Sequence, residues 1–266
     1  MAATASTPLK IERSAAAAVL TLDHAASRNA LSEEMLVALL AAVDAAATDR
    51  SVKAIVLAAN GPAFSAGHDL KQLTVHRRDP DRGRAYFTTV MTKCAELMQA
   101  IVRCPKPVIA AVEGVATAAG CQLVATCDLA VAGENAKFAT PGVNIGLFCS
   151  TPMVALTRNV SRKRAMEMLL LGELLDARAA ADYGLVNRVV PAGHACAEAL
   201  AMAAVIAAKS PVTVAIGKQA FYAQIEQPLA SAYAFAADVM VRNMLERDAA
   251  EGIGAFIEKR PAKWGE

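Results

Sequence analysis

The stretch Pro105–Ala132, PKPVIAAVEGVATAAGCQLVATCDLAVA, decides how the rest of the chain is read. It opens with the apolar run Pro107–Val112, passes through small residues between Gly114 and Gly120, stays apolar to Thr126 and ends in a second run, Leu129–Ala132. This pattern predicts a strand, a turn, a helix and a strand. Ala116, Ala118, Ala119 and Gly120 are small enough for a ligand to lie against the backbone where the helix begins. The first N–H groups of a helix have no intrahelical partner, so negative charge is favoured there. Tight packing of helix on strand asks for the same small residues, and the stretch alone does not separate the two uses.

The same logic recurs upstream. Val52–Ala59 reads as a buried strand running into NGPAFSAGHDL, Asn60–Leu70, where a Gly/Ala turn precedes a short helix that begins near Asp69. That placement leaves the His68 N–H free. Residues 9–23 read as two strands meeting near Arg13 and Ser14, and Ser32 as the N-cap of a helix through Leu36, Leu39, Leu40 and Val43. Residues 71–84 are charged and read as a mobile surface loop, followed by a helix over 86–103.

Downstream of the opening stretch come a breaker-rich loop, Phe138–Gly146, and helices over 152–158 and 161–171. A short helix capped by Asp176 ends at Gly184, and Val186–Val190 reads as the last strand. From Ala195 the pattern is helical only, broken at Ser210-Pro211 and Gln227-Pro228. The expected organisation is an α/β core over 1–209 and a helical region over 210–266, too small to stand as an independent domain, with apolar faces for the core or another subunit.

With 266 residues, 55% of them hydrophobic and 20% charged, the chain can bury a large core, and disorder is excluded. A formal charge of +2 argues against nucleic-acid and membrane-surface partners, and no apolar run reaches the ~18 residues of a membrane span. MAATASTPLKIERS lacks the layout of a secretory or transit segment, and about its first eight residues read as a tail. Cys94, Cys104, Cys121, Cys127, Cys149 and Cys196 form no CxxC pair and no metal-ligand spacing with the four histidines. The expectation is free thiols in the cytoplasm and no metal, with Cys121 and Cys127 as small core residues.

Two turns with free N–H groups are the ingredients of an oxyanion hole, provided that they converge. FSAGHDL at 64–70, PVIAAVEGVATAAGCQLVATCDLAVA at 107–132 and FATPGVNIGL at 138–147, in this order and spacing, resemble the enoyl-CoA hydratase/isomerase (crotonase) superfamily. The likeness runs from about Leu9 to the C-terminal AFIEKRPAKW, and the version TPGVNIGLFCSTP resembles the subgroup called enoyl-CoA hydratase domain-containing protein 3.

The resemblance implies a spiral of ββα units with a helical C-terminal trimerisation region, in homotrimers that often pair into homohexamers. It implies an acyl-CoA thioester whose carbonyl oxygen is held by two backbone N–H groups, and no cofactor beyond the coenzyme A of the substrate. Carried over, the donors fall on His68 and on Ala119, where the family has the middle glycine of a Gly-Gly-Gly run. Arg28, Ala30, Ala66, Asp69 and Leu70 fall beside the adenine and pantetheine, with Phe256 and Lys259 closing the nucleotide end. Lys259 would do so for its own or a neighbouring subunit.

Hydratases of the family add water with two glutamates, and those positions hold Gln122 and Gly142 here. A glutamine amide does not titrate near neutral pH and glycine has no side chain. Each general acid or base contributes roughly 10²–10⁴-fold, so hydration should be very slow. Cys149, Ser150 and Asn144 are the polar residues of the loop where some relatives carry an aspartate, and no histidine is placed by sequence to activate Cys149. Glu113 reads as a local cap or pair, Asp69 as fixing its turn and Asp128 as structural.

Two classes stay open. One is an enzyme of lyase or isomerase type in fatty acid metabolism, working on acyl-CoA through oxyanion stabilisation; the other is a non-catalytic acyl-CoA binder or regulatory subunit. Neither GxGxxG nor GxxxxGK[ST] occurs, which argues against nucleotide-fold dehydrogenases and P-loop enzymes.

Overall fold

The computed structural model describes residues 7–265, and residues 1–6 of the expected tail lie outside the described residues. The chain enters through the hairpin of β1 (Leu9–Ser14) and β2 (Ala17–Leu22), paired antiparallel from Leu9↔Leu22 to Ser14↔Ala17. α1 (Glu33–Thr48) follows, its first turn capped by Ser32, whose hydroxyl accepts the Met35 N–H at 3.2 Å. A strand–strand–helix unit then recurs. β3 (Ala54–Ala59) and β4 (Ala63–Ser65) lead to α2 (Leu70–His76) and α3 (Arg84–Arg103). β5 (Val108–Val112) and β6 (Val115–Thr117) lead to α4 (Ala119–Thr126), and β7 (Leu129–Gly133) and β8 (Lys137–Ala139) to α5 (Pro152–Asn159) and α6 (Arg162–Leu171). β9 (Leu175–Asp176), α7 (Ala177–Asp182) and β10 (Arg188–Val190) complete the α/β part. Four helices end the chain: α8 (Ala195–Ala207), α9 (Pro211–Gln224), α10 (Leu229–Met244) and α11 (Arg247–Glu258).

The first strand of each recurring unit joins a six-stranded sheet, order β1-β2-β3-β5-β7-β10, and the second joins a four-stranded sheet, order β4-β6-β8-β9. From β2 onward the large sheet is parallel, so all its strands deliver their following turns to one end. Strands buried on both faces are continuous apolar runs, as parallel sheets require. Alternation still divides the faces: Ala54, Val56 and Ala58 of β3 pack on Ala195, Ala199 and Ala203 of α8, whereas Ile55 and Leu57 meet the side of α1, α3 and α4. Alanine on both surfaces lets α8 approach the sheet closely.

Three expectations are corrected. A short strand, β6, stands between the central strand and its helix, because Gly114 at φ 71 turns the chain sharply and frees Val115–Thr117 to pair with β4 and β8. Residues 71–76 are helical rather than loop, because the Asp69 carboxylate caps α2 by accepting the N–H groups of Lys71 and Gln72. The strands expected from Val52 and Val186 begin at Ala54 and Arg188, where ladder pairing starts. The Asp176 cap is present, its carboxylate accepting the Ala179 N–H at 2.8 Å.

α9 is tied to the α/β part by a buried charge cluster. Lys218 Nζ donates to Asp128 at 2.6 Å and to the carbonyls of Ile101 and Lys106, while Asp128 also accepts from Tyr222 Oη at 2.9 Å and from the Val108 N–H. Burial, with the Asp128 charge second, pushes the Tyr222 phenol far above its ordinary value. Asp128 is thereby structural, and so is Glu113, which accepts the Ala195 N–H at the start of α8.

Candidate active site

Parallel pairing of β4 with β6, through Ala63↔Val115 and Ser65↔Ala116, sets the turns that follow them side by side. Contact between the turns is close: a Cβ on Gly67 would stand 3.2 Å from Ala119 N and 2.9 Å from Ala118 Cβ. Gly67 itself sits at φ +89, where a side chain is strained in any case. Gly120 lies equally hard against the Ser65 carbonyl. The residue types that let the helix start on the strand are therefore the ones that bring His68 beside Ala119.

Each turn presents a backbone donor. Leu31 N–H bonds the Gly67 carbonyl at 2.7 Å in a parallel bridge, and the described hydrogen bonds give the His68 N–H no acceptor. Ala119 is the first residue of α4, so its N–H has no intrahelical partner, whereas the neighbouring Ala118 N–H is committed to the Ala139 carbonyl at 2.9 Å. Ala118 holds φ 50, ψ −119, a conformation that costs a non-glycine residue about 1–3 kcal/mol. Strain of that size persists only where the surroundings over-determine it, and here β6 pairing and the packing of Gly67 do so.

Asn29, which sequence reading passed over as part of the approach to α1, organises the outer edge. It is fully buried at φ 51, its side chain donates to the carbonyls of Asn60 and Ala63 at 2.8 Å each, and it accepts the His24 N–H. Asparagine tolerates the left-handed region, which was the available signal. The lock brings the Arg28 carbonyl to the Ala66 N–H at 3.0 Å, so Arg28, Ala30, Ala66, Asp69 and Leu70 lie together along one edge of the His68 turn. Phe256 and Lys259 are not brought there within one chain. Phe256 is 85% exposed on α11, which packs on α9 and α10, and no described hydrogen bond or ion pair joins either residue to the turn.

The far side is lined by α4 and the segment after β8. Gln122 is buried, and its amide oxygen faces the Cys94 thiol of α3 at 3.9 Å. Gly142 is buried with an ordinary φ, and the reason it carries no side chain is space: a Cβ there would stand 2.7 Å from the Leu147 carbonyl oxygen and 2.9 Å from Cys149 Sγ. Cys149 is buried and its thiol is raised by desolvation, so it is a weak nucleophile. Cys121 is pushed up to about 12 by burial, with the nearby Cys149 a lesser cause. Asn144 donates to the Gly172 carbonyl in a half-buried bond, and Ser150 to the Phe148 carbonyl at the exposed surface. Among the described residues, two buried side-chain polar atoms have no hydrogen-bond partner, His68 Nε2 and Thr140 Oγ1.

The family model for enoyl-CoA hydratase/isomerase matches residues 12–266. The chain belongs to that family. It is 48% identical over 245 residues to enoyl-CoA hydratase domain-containing protein 3, mitochondrial, of Rattus norvegicus, covering 92% of this chain and 80% of the relative. The crystal structure of human enoyl-CoA hydratase domain-containing protein 3 superposes with a TM-score of 0.92 at 45% identity, covering 97% of this chain and 100% of the other. An enoyl-CoA hydratase structure from Mycobacterium smegmatis gives 0.91 at 51% identity, covering 97% and 98%. The crotonase fold and the subgroup read from TPGVNIGLFCSTP are thus both supported.

Proposed function

We propose that this family member binds acyl-CoA thioesters with the carbonyl oxygen between the N–H groups of His68 and Ala119, and that two-glutamate hydration is not its reaction. The observation that carries the reading is the approach of Gly67 to Ala119, which sets two unpaired donors side by side. Donors fixed before the reaction stabilise an enolate or tetrahedral oxyanion without reorganisation, and one such donor is worth about 10²–10³-fold in rate. Arg28, Ala30, Ala66, Asp69 and Leu70 supply the edge for the adenine and pantetheine. Phe256 and Lys259 would reach the nucleotide from a neighbouring subunit.

Gln122 and Gly142 leave the proton transfers of hydration without a carboxylate at either position. A binder that has kept the fold is the second reading, favoured by the filled space at Gly142. Titration calorimetry with butyryl-CoA, and turnover of crotonyl-, dienoyl- and malonyl-CoA, test both. Loss of enoyl absorbance at rates normal for a two-glutamate hydratase would sink the first reading's exclusion of hydration, and turnover of any of the three thioesters would sink the second. We propose no cofactor apart from the coenzyme A of the ligand and a role in fatty acid metabolism, a reading supported by family membership alone.

Leu229, Tyr233, Leu245, Phe256 and Ile257 on α10, α11 and their junction are each more than 70% exposed in one chain. We propose that a homotrimer or homohexamer covers them, since apolar exposure of this extent marks an interface; a monomeric mass by light scattering would contradict it. The cytoplasmic setting read from free thiols stays a proposal beside the mitochondrial names of the vertebrate relatives, and fractionation of the native source decides it.

A further inference from the structure

Of the 12 residues of α11 only Asp248 and Ala255 are buried, and Ile253, Phe256 and Ile257 leave one face of the helix apolar and exposed. So little burial does not fix a helix, because most helical stability in a protein comes from packing of an apolar face. The attachment is polar instead, and it runs through the segment that follows. Lys259, at φ 54, ends the helix and turns the chain back along it. Arg260 donates from both Nη atoms to the Glu251 carboxylate at 2.7 and 3.0 Å, and the Lys263 N–H donates to the same carboxylate at 2.8 Å. The Gly265 N–H donates to Asp248 at 2.7 Å. Trp264 reaches across to the corner between α8 and α9, where its Nε1–H donates to the Ala208 carbonyl at 2.8 Å. Its ring lies over Gly252, so close that a Cβ there would stand 3.2 Å from it. Asp248 closes the circuit by accepting the Ser210 hydroxyl at 2.5 Å, and Ser210 Oγ caps α9 by accepting the Thr213 N–H.

We propose that residues 260–265 are a strap that latches α11 to the α8–α9 corner, and that α11 offers its apolar face to a second copy of this chain only while the strap is closed. The assembly half of the proposal rests on the subunit interface proposed above. Elements with few buried apolar contacts open at a lower free energy than the sheet that carries the core, and they open as cooperative units. α11 supplies the carboxylates and the strap supplies the donors, so neither stays in place without the other. A partner copy that binds only the closed form stabilises it by mass action, and closure favours assembly to the same extent. Trp264, the only tryptophan in the chain, is the one side chain of the strap that bonds outside α11 and the strap itself.

The test measures amide hydrogen exchange by mass spectrometry, and assembly by mass photometry and light scattering, on the wild type, Trp264→Ala and Trp264→Phe. In the wild type, amides of 247–258 should exchange about tenfold faster than those of β3 and β5, or more, and should slow as rising concentration drives assembly. Trp264→Ala should speed exchange in 247–258 by about a further tenfold while leaving β3 and β5 within about twofold, and should raise the concentration for half-assembly by about tenfold. Trp264→Phe keeps a ring over Gly252 without the Nε1–H donor and should fall between the two, so a poorly folding alanine variant does not decide the matter. Unchanged exchange in 247–258 in both variants would overturn the strap. An equal rise in β3 and β5 would assign Trp264 to global stability and overturn it as well. Faster exchange of α11 with unchanged assembly would overturn the latch. A wild type that is monomeric at every concentration would remove the interface reading and the latch with it, and the wild-type mass tells that failure from the others.

Discussion

The Cys149 sulfur stands where a side chain at Gly142 would begin, 2.9 Å from a Cβ built there. Loss of a carboxylate at position 142 is therefore accompanied by closure of the segment from Leu147 to Cys149 over the same space. Gly142→Glu should lower stability by about 1–3 kcal/mol, as overpacking of a tight interior does, measured by urea unfolding. Gln122→Glu is nearly isosteric and should fold. The combination with Gly142→Glu should give little gain in crotonyl-CoA hydration until Cys149→Gly is added. A large gain from the pair alone would show that the loop opens freely.

Gly67→Ala tests the convergence of the two donor turns. The added methyl meets Ala118 Cβ and Ala119 N in a backbone conformation unfavourable for alanine, so it should destabilise by about 1 kcal/mol or more and push the turns apart. Butyryl-CoA affinity should fall by about tenfold or more at a temperature where the variant remains folded. An affinity equal to the wild type would mean that the turns do not share a ligand atom.

Burial depresses the His68 imidazole below its ordinary value of 6.5, with the Leu31 carbonyl opposing weakly. The folded state then binds fewer protons than the unfolded state between the two values. His68 therefore contributes stability that is fully present above 6.5 and is lost as pH falls through the depressed folded value. His68→Gln keeps the backbone donor and removes the titration. Melting temperatures followed from neutral pH downward should fall more steeply for the wild type than for this variant; parallel curves would refute the assignment.

Lys218→Met leaves Asp128 buried with its countercharge gone, because the two side chains are only 6% and 14% exposed. Removal of one partner of a buried pair costs about 3–5 kcal/mol. Adding Asp128→Asn should return part of that loss, since the amide oxygen can still accept the Val108 N–H, its NH2 can donate to the Tyr222 hydroxyl oxygen, and the unpaired charge disappears. A double-mutant cycle in urea measures the coupling.

Much of the architecture was legible because parallel strands and their helices carry strong periodicity: the strands at 17–22, 54–59, 108–112 and 129–133 are all apolar runs bounded by turn residues. β6 was not legible, because three residues between Gly114 and Ala118 are too short for a period, and their strand state comes from pairing with β4 and β8. The Asp69 cap and the free position of His68 could be read locally, since a capping carboxylate needs only its own next residues. Thr140 could not be read, because being unpaired is a property of what surrounds a hydroxyl and leaves no mark in the order of residues. Gly142 showed in the sequence only that a carboxylate is absent; that the space is closed by Leu147 and Cys149, five and seven positions later, is a property of the folded loop and could not be read.

The contact between Asp128 and Lys218 spans ninety positions of chain, and this bears on how the protein is made. Domains emerge from the ribosome and fold N-terminal part first. When the α/β part up to Lys209 has been synthesised, the Asp128 carboxylate at the start of β7 still lacks the ammonium and phenol that α9 brings. The nascent chain therefore holds an unfinished polar seam at the end of its large sheet until α9 arrives. Release of α9 brings Lys218 and Tyr222 to Asp128 after every strand of the sheet has been made, so the sheet is assembled before its buried charge is paired.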